Sequence, residues 1–541
     1  MVINSKIQIE ETSETVIVGA GAAGLFAALT LAKTGRKVTV LSEAALNGIC
    51  ASCWAQGGIA AAVAKEDSAA AHTRDTLKAG AGTSDKNVTT ALTRDAPAYI
   101  KLLESYGVDF KHDPATGEFA LNHEACHSRR RVLRAKAGDG FGKELMRALT
   151  TAAAKEKNIR FVAFQSAVAL VREYTQTHGA LSGILAYDSK TEYFRLFPAA
   201  AVILATGGIG ALYSHTTNPN FATGRGIAMA ARAGAVLADM EFVQFHPTAL
   251  ALGRDPAPLA TEALRGEGAL LITEDGKRFM PDLHPMAELA PRDIVSRAVF
   301  AELSRGQRVF LDCRSINTQE FPALREACTA AGLDPQHVPV PVHPAAHYHM
   351  GGIASDANGR SSLSGLWVCG EVASTGLHGA NRLASNSLME AVVMGGRAAA
   401  DIHQFLEKTP ETKMLRVPDY CREIAKKYVP LNECDLVVTR ARTELREVMT
   451  RLVGVARHES GLKQAIDIFR KLETVAALAD AALVARLVAT AALQRRESRG
   501  GHFRLDYPGD SAVWKHRSYI TLKEADLPLA ESTEVKEKVY A

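Results

Sequence analysis

Three features of this sequence predict an α/β fold: a doubly wound dinucleotide-binding sheet, an inserted α+β capping unit and a C-terminal helical bundle. The first is residues 16–31, V-I-V-G-A-G-A-A-G-L-F-A-A-L-T-L, where a β-branched apolar run turns through Gly19, Gly21 and Gly24 into an Ala/Leu-rich helical pattern. The second is a pair of later apolar strands, 199–204 running into Ala205-Thr206-Gly207-Gly208 and 365–369 running into Gly370-Glu371. The third is a change of character at Glu241, after which polar side chains sit within apolar strands. The expected boundaries are a dinucleotide-binding unit over 1–239 and 349–416, a capping unit over 240–348 and a helical domain over 417–541.

The first element points to a pyrophosphate. Glycines let the backbone approach closely, and the free N–H groups and positive end of a helix starting near Ala22 attract an anion. Gly19, Ala20, Gly21, Ala22, Ala23 and Gly24 are the candidate contacts. A second strand, 37–41, closes the βαβ unit and leads to two more, Ser42 and Glu43.

Composition narrows the class. With 541 residues, 47% hydrophobic and 23% charged, the chain has the make-up of an ordinary globular protein large enough for two or three packed units. A formal charge of +4 is too small for a nucleic-acid footprint. The polar, acidic first 14 residues lack a signal-peptide pattern, and no apolar run reaches the ~18 residues of a membrane span. Of eight scattered cysteines only Cys50 and Cys53 are close in sequence, with no second pair to complete a zinc or iron–sulfur set. Free thiols in a reducing cytoplasm and no metal are expected.

Residues 55–62, A-Q-G-G-I-A-A-A, suit either a planar ring lying flat against a glycine pair or a plain loop-to-helix junction. Ser52, Ala55, Gln56, Gly57 and Gly58 are the candidates there. Helices are expected within 67–107. Residues 122–131, N-H-E-A-C-H-S-R-R-R, are read either as a solvated loop or as cover for a polar site. Strands follow at 158–169 and 183–187, and the turn after 199–204 adds Thr206 and Gly207 to the cofactor candidates. Thr223-Gly224-Arg225-Gly226 opens a helix over 227–233.

The capping unit carries Gln244, His246, Thr261, Glu262, Arg265, Glu267, Arg292 and Asp293, and closes with His347 and His349 before Met350-Gly351-Gly352. At Gly370-Glu371 an acid that accepts from hydroxyls stands ahead of a helix start that donates N–H groups, an arrangement suited to the ribityl chain and pyrophosphate of a flavin. Glu371, Ser387 and Leu388 are the candidates. Helical periods recur at 436–453, 461–478 and 480–495, and the basic run 495–504 is read as facing an acidic patch or as a solvated tail.

These segments, in this order, resemble the succinate dehydrogenase and fumarate reductase flavoprotein family, and within it the branch that oxidises aspartate. The likeness covers nearly the whole chain, and A-Q-G-G-I-A-A, Q-F-H-P-T-A-L, T-E-A-L-R-G-E-G-A, A-P-R-D-I-V-S-R-A, P-A-A-H-Y-H-M-G-G and H-G-A-N-R-L-A-S-N-S-L carry it. It implies a Rossmann-like FAD-binding domain with FAD held without a covalent bond, because Ala51 stands where covalently flavinylated members have histidine. It also implies oxidation of L-aspartate to iminoaspartate with O2, giving H2O2, or fumarate as acceptor. That is the first step toward quinolinate and NAD, with quinolinate synthase as a possible partner. The alternatives are a soluble fumarate reductase or succinate dehydrogenase type flavoprotein, or a binding protein that kept the fold and lost catalysis.

By the same resemblance His246, Thr261, His347 and Arg382 bind the substrate carboxylates, for which guanidinium forks are well suited. Arg292 moves a proton, with Glu262 and Arg265 as its relay, since an arginine alone is a poor base with a pKa above about 12. Glu124 meets the substrate ammonium by opposite charge. Three departures stand out. Ala125-Cys126 replace a Gly-Gly pair after Glu124, a cysteine pair lies near the flavin, and Arg225 replaces an Asp, a reversal expected to weaken FAD binding or shift its loop.

Overall fold

The computed structural model describes residues 6–48, 50–136, 138, 140–172, 181–409, 416–431 and 434–527. Residues 1–5 and 528–541, the outer ends of the first and last expected domains, lie outside the described residues.

Ser13–Val18 (β1) is a strand whose apolar end is buried, and Ala22–Lys33 (α1) follows directly after the glycine turn. α1 is apolar nearly all round because it is covered on more than one side, by the sheet and by a later long helix. Val38–Leu41 (β2), Ile159–Val162 (β3), Gln165–Arg172 (β4), Leu181–Asp188 (β5) and Phe194–Leu204 (β6) continue the sheet. Arg225–Arg232 (α2) packs beside it. The order across the sheet is β3-β2-β1-β6-β5-β4.

β6 has two roles. Its first half pairs antiparallel with β5, while its second half runs parallel to β1, with Val202, Ile203 and Leu204 opposite Val16, Ile17 and Val18. On its other side the same three residues face Leu366–Val368 (β11 below) in parallel register. Three carboxyl ends, at Val18, Leu204 and Val368, therefore stop side by side, the place where open α/β sheets hold ligands.

The insertion is a four-stranded antiparallel sheet. Its strands are Val243–Leu250 (β7), Leu270–Thr273 (β8), Val309–Asp312 (β9) and Val340–His349 (β10), ordered β7-β10-β9-β8. Glu262–Gly266 (α3) and Arg292–Ser304 (α4) belong to it, and Leu250, Leu264, Val295, Leu311 and Val340 give it a core of its own. The chain then returns through Leu366–Val368 (β11) to Asn386–Lys408 (α5), which packs on α1.

Leu436–Leu452, Glu459–Leu472 and Ala479–Gln494 form the expected C-terminal helices, but not a separate bundle. Val453, Ile466 and Leu487 share one core with Val16, Leu204 and Ile227, because the helix Ala479–Gln494 packs on α2 and the helix Leu436–Leu452 on the turn Gly210–Leu212 of the cofactor unit. After Gln494 the chain is largely irregular, and Tyr519–Ile520 pairs with Leu237–Ala238. The stretch Ala476–Gln494 also corrects the reading of apolar runs: by length and composition it could cross a membrane. It is a core helix instead, mostly buried, and its Arg486 pairs with Glu473.

Two charged runs are only partly solvated: Arg129, Arg130 and Arg496 are exposed, while other arginines of the same runs are buried. Arg131 is fully buried between Asp67 and Asp75, at 2.8 Å and 2.5 Å. Arg495, Arg499 and Arg504 are buried against Glu241, Glu497 and Asp506, so the acidic partner of the basic run lies in the same chain. Buried guanidinium groups require such partners.

Candidate active site

The three strand ends open onto a cavity of about 840 Å³, the size of a cofactor site. The turn after β1 supplies Gly19, Ala20, Gly21, Ala22 and Ala23 to its wall, and the end of β2 supplies Ser42 and Glu43. The turn after β6 supplies Thr206 and Gly207, and the end of β11 supplies Glu371. Ser52, Ala55, Gln56, Gly57 and Gly58 form another face, with Ser387 and Leu388 at the start of α5. Gly24 is not in the wall: a Cβ there would lie 2.0 Å from the Gly19 carbonyl oxygen, so this glycine serves close helix–turn packing.

These residues fit FAD. The α1 N-terminus carries no side-chain cap of its own, so its first N–H groups are available to a pyrophosphate, and Ser52 Oγ accepts from only one of them, Ala22 N, at 3.2 Å. Thr206 Oγ1 is buried without a partner, a donor set aside for a ligand. Glu43 stands about 20 residues after the glycines, where an acid reads ribose hydroxyls. Arg225 does not face this acid as an uncompensated charge. It pairs with Glu43, and Asp480 lies 3.9 Å away on a C-terminal helix, which tempers the expected charge conflict.

Burial pushes the Glu371 carboxyl up to about 7; Glu390 adds to the rise, and the His349 N–H and Arg382 oppose it. The ionised form is the better acceptor for ligand hydroxyls, and it gains population as pH rises through that value. FAD affinity is therefore expected to be about tenfold weaker near pH 6 than near pH 8. Fluorescence titration of apoprotein with FAD checks this, and an equal pH dependence in Glu371→Gln would remove Glu371 as its cause.

The capping unit faces the same cavity with Arg292, Glu262, Thr261, His246 and His347, joined by Arg382 and Glu124 from the lower unit. Arg292 Nε donates to Glu262 Oε2 at 2.5 Å and its Nη1 to Gln244 Oε1 at 3.0 Å. Arg382 Nη2 donates to the same Gln244 oxygen at 3.1 Å, and its guanidinium lies 4.7 Å from the Tyr348 ring centre. Gln244 thus locks two cations side by side. Arg265 is behind the wall rather than in it: buried, bonded to the Glu288 carbonyl and 3.8 Å from Glu262.

Electrostatics follow from this crowding. Burial first, then Arg292 and Arg382, hold His246 and His347 well below the ordinary imidazole value, so both rings are neutral at pH 7. Burial and Arg292 likewise lower Arg382 to about 10. Burial alone would raise Glu262, but Arg292 and Arg265 outweigh it and keep the group a carboxylate. His347 Nδ1 meets Thr217 Oγ1 at 2.8 Å, and His246 Nε2 is buried without a partner. Thr261 caps α3 and stands at the cavity wall. Glu124 accepts from Ser385 Oγ at 2.7 Å, not from an arginine.

Gln244, Tyr348, Thr217 and Ser385 were not marked as site residues by sequence. A polar Gln244 inside an apolar strand is a direct signal, Tyr348 and Ser385 lie within the motifs that carry the family likeness, and Thr217 carries none.

Similarity to known proteins gives the family. Residues 14–388 match the FAD binding domain family, and residues 470–539 match the fumarate reductase flavoprotein C-terminal family. A quinol fumarate reductase structure from E. coli superposes with a TM-score of 0.85 at 27% identity, covering 98% of this chain and 100% of that one. The chain belongs to the succinate dehydrogenase and fumarate reductase flavoprotein family, and its cofactor is FAD. It is 47% identical over 498 residues to the L-aspartate oxidase of Agrobacterium fabrum, with 91% of each chain covered. To that of Caulobacter vibrioides it is 45% identical over 515 residues, covering 94% and 96%. Within the family, the chain belongs with the L-aspartate oxidases.

Proposed function

We propose that the protein catalyses FAD-dependent oxidation of L-aspartate to iminoaspartate. The observation that carries this reading is one cavity holding two arginines bridged by Gln244 together with an acid, Glu124, that pairs with neither. Two carboxylates and one ammonium on a four-carbon frame match that charge pattern; succinate offers nothing for the acid. Bound in the sheet-end part of the cavity, FAD supplies a two-electron hydride acceptor.

The chain's own residues do the rest. Arg382 offers a fork to one carboxylate, with the neutral His246 and His347 imidazoles and the Thr261 hydroxyl as further partners. Their low basicity keeps them uncharged partners rather than competing cations. Glu124 receives the ammonium. Arg292 holds or moves a proton at its guanidinium, with Glu262 keeping a charge balance at 2.5 Å and Arg265 next in line. Similarity to fumarate reductase supports fumarate as an acceptor beside O2, with H2O2 as the product of the latter. The reading places the protein in the cytoplasm at the start of NAD biosynthesis, with quinolinate synthase taking its reactive imine.

Anaerobic mixing of FAD-loaded protein with L-aspartate is expected to bleach the flavin band near about 450 nm, and succinate is not. Bleaching by succinate alone would make the protein a succinate dehydrogenase type flavoprotein. In the same assay Glu124→Gln is expected to slow reduction by aspartate about a hundredfold while fumarate reduction falls far less. Equal losses would mean that the acid does not read the ammonium.

A further inference from the structure

We propose that Cys50 and Cys53 are a hydroperoxide-oxidisable dithiol in the wall of the cofactor cavity, and that closing their disulfide loosens the hold on FAD. The two Sγ atoms are 3.2 Å apart across the single turn Ala51–Trp54, and both cysteines line the cavity. A disulfide needs about 2.05 Å, so closure requires the sulfurs to approach by roughly 1 Å. Of the other six cysteines, Cys313, Cys328, Cys369 and Cys421 are buried, Cys126 is half-buried with its thiol pushed up to about 11 by burial, and Cys434 is exposed.

The two sulfurs are chemically unequal. The hydrogen bond shared by the two sulfurs, backbone N–H groups of the turn and the Lys143 charge outweigh burial and lower the Cys53 thiol to about 6. Cys50 keeps its proton because the same hydrogen bond and burial push its pKa up. Cys53 is the nucleophile and Cys50 the resolving thiol. The Cys53 thiolate attacks one peroxide oxygen, the O–O bond breaks, and sulfenic acid and hydroxide form. Cys50 sulfur then attacks that sulfur, the S–O bond breaks, and its proton leaves with the hydroxyl as water. In sum, hydrogen peroxide and two thiols give one disulfide and two waters, a two-electron oxidation of sulfur.

The consequence for FAD is geometric. Ser52 lies between the two cysteines and its hydroxyl accepts from Ala22 N at the start of α1, the pyrophosphate end of the cavity. The turn is also tied down beyond, where Gly142 N donates to Ala55 O at 2.9 Å. With that end fixed, drawing the sulfurs together strains the turn at Ser52 and so disturbs its contact with the α1 N-terminus. The inference holds whichever acceptor the enzyme uses, because the peroxide can be added. If the O2 reaction proposed above operates, peroxide arises beside the pair.

The test uses full-length FAD-loaded protein, graded hydrogen peroxide and no substrate. Peptide mass analysis after alkylation is expected to show the peptide with Cys50 and Cys53 short of two hydrogens, restored by dithiothreitol. FAD affinity, read by flavin fluorescence, is expected to fall about tenfold in step. Cys50→Ser is expected to bind FAD normally, to retain it under peroxide, and to leave a sulfenic acid on Cys53 that dimedone traps. The proposal is overturned if Cys434 oxidises while the pair stays alkylatable, if the disulfide forms with FAD affinity unchanged, or if Cys50→Ser loses FAD to peroxide like the unaltered protein.

Discussion

Arg292→Leu is expected to cut flavin reduction by L-aspartate by at least about a thousandfold, roughly 4 kcal/mol of transition-state free energy, with FAD still bound. The guanidinium is nearly enclosed and makes two directed bonds, to Glu262 and to Gln244. Leucine removes both together. Glu262 then keeps Arg265, 3.8 Å away, and the more distant Arg382 to balance a buried charge, and burial drives it toward the protonated acid. Gln244 loses one of its two guanidinium partners, so the pose of Arg382 relaxes as well. The proton-handling group, its charge partner and the neighbouring carboxylate binder are disturbed by one change.

FAD retention separates this outcome from misfolding. The residues that suit the cofactor lie at the ends of β1, β2, β6 and β11 and in the turn around Ser52, whereas Arg292 stands in the capping unit. Equal flavin content and a reduction rate near that of the unaltered protein would take Arg292 out of its role. Arg292→Lys makes the test sharper: it keeps the charge but loses the fork, and is expected to recover only a small part of the rate.

Local patterning explains what could be read in advance. The β1–α1 unit, the strand ends at Ala205-Thr206-Gly207 and Gly370-Glu371, and the helix after them are specified by period and by glycine placement within a few residues. The bridging role of Gln244 is different, because it joins Arg292 and Arg382 across 48 and 138 residues of chain. Ser385 reaches Glu124 over 261 residues, a contact that no local pattern encodes. The same reason hid the partners of Arg131 and of the 495–504 run, whose acids lie partly far away in sequence. Apolar periodicity located the C-terminal helices but could not say what they pack on, and the answer is α2 and the turn Gly210–Leu212 of the cofactor unit, whose core they share. Arg225 shows the converse. Judged alone it is a reversed charge beside FAD, and only the fold brings it Glu43 and Asp480.

Gly19→Ala is expected to weaken FAD binding by at least about a hundredfold and to lower the stability of the apoprotein by roughly 2 kcal/mol or more. Gly19 has φ +109°, a conformation that L side chains rarely adopt, and its added Cβ would lie 2.3 Å from the Ala205 carbonyl oxygen and 2.8 Å from its carbon. Both are main-chain atoms with little freedom to move. Ala205 N donates to Val18 O at 2.8 Å and Gly19 N to Leu41 O at 2.9 Å, so the turn is stitched to β1 and β2 at the point where the cavity opens. Relief of the clash must therefore come from parting β1 from β6, which moves the α1 N-terminus and Thr206 away from each other. Gly35→Ala is the matched control. Gly35 has φ +83° but nothing within 4 Å of its added Cβ, and it follows α1 on the far side from the ligand. Its substitution carries backbone strain alone, so the melting temperature is expected to drop modestly while FAD affinity stays unchanged. FAD titration and thermal melts of both variants decide the matter. If Gly19→Ala binds FAD as tightly as Gly35→Ala does, the spacing between these strand ends does not set cofactor affinity.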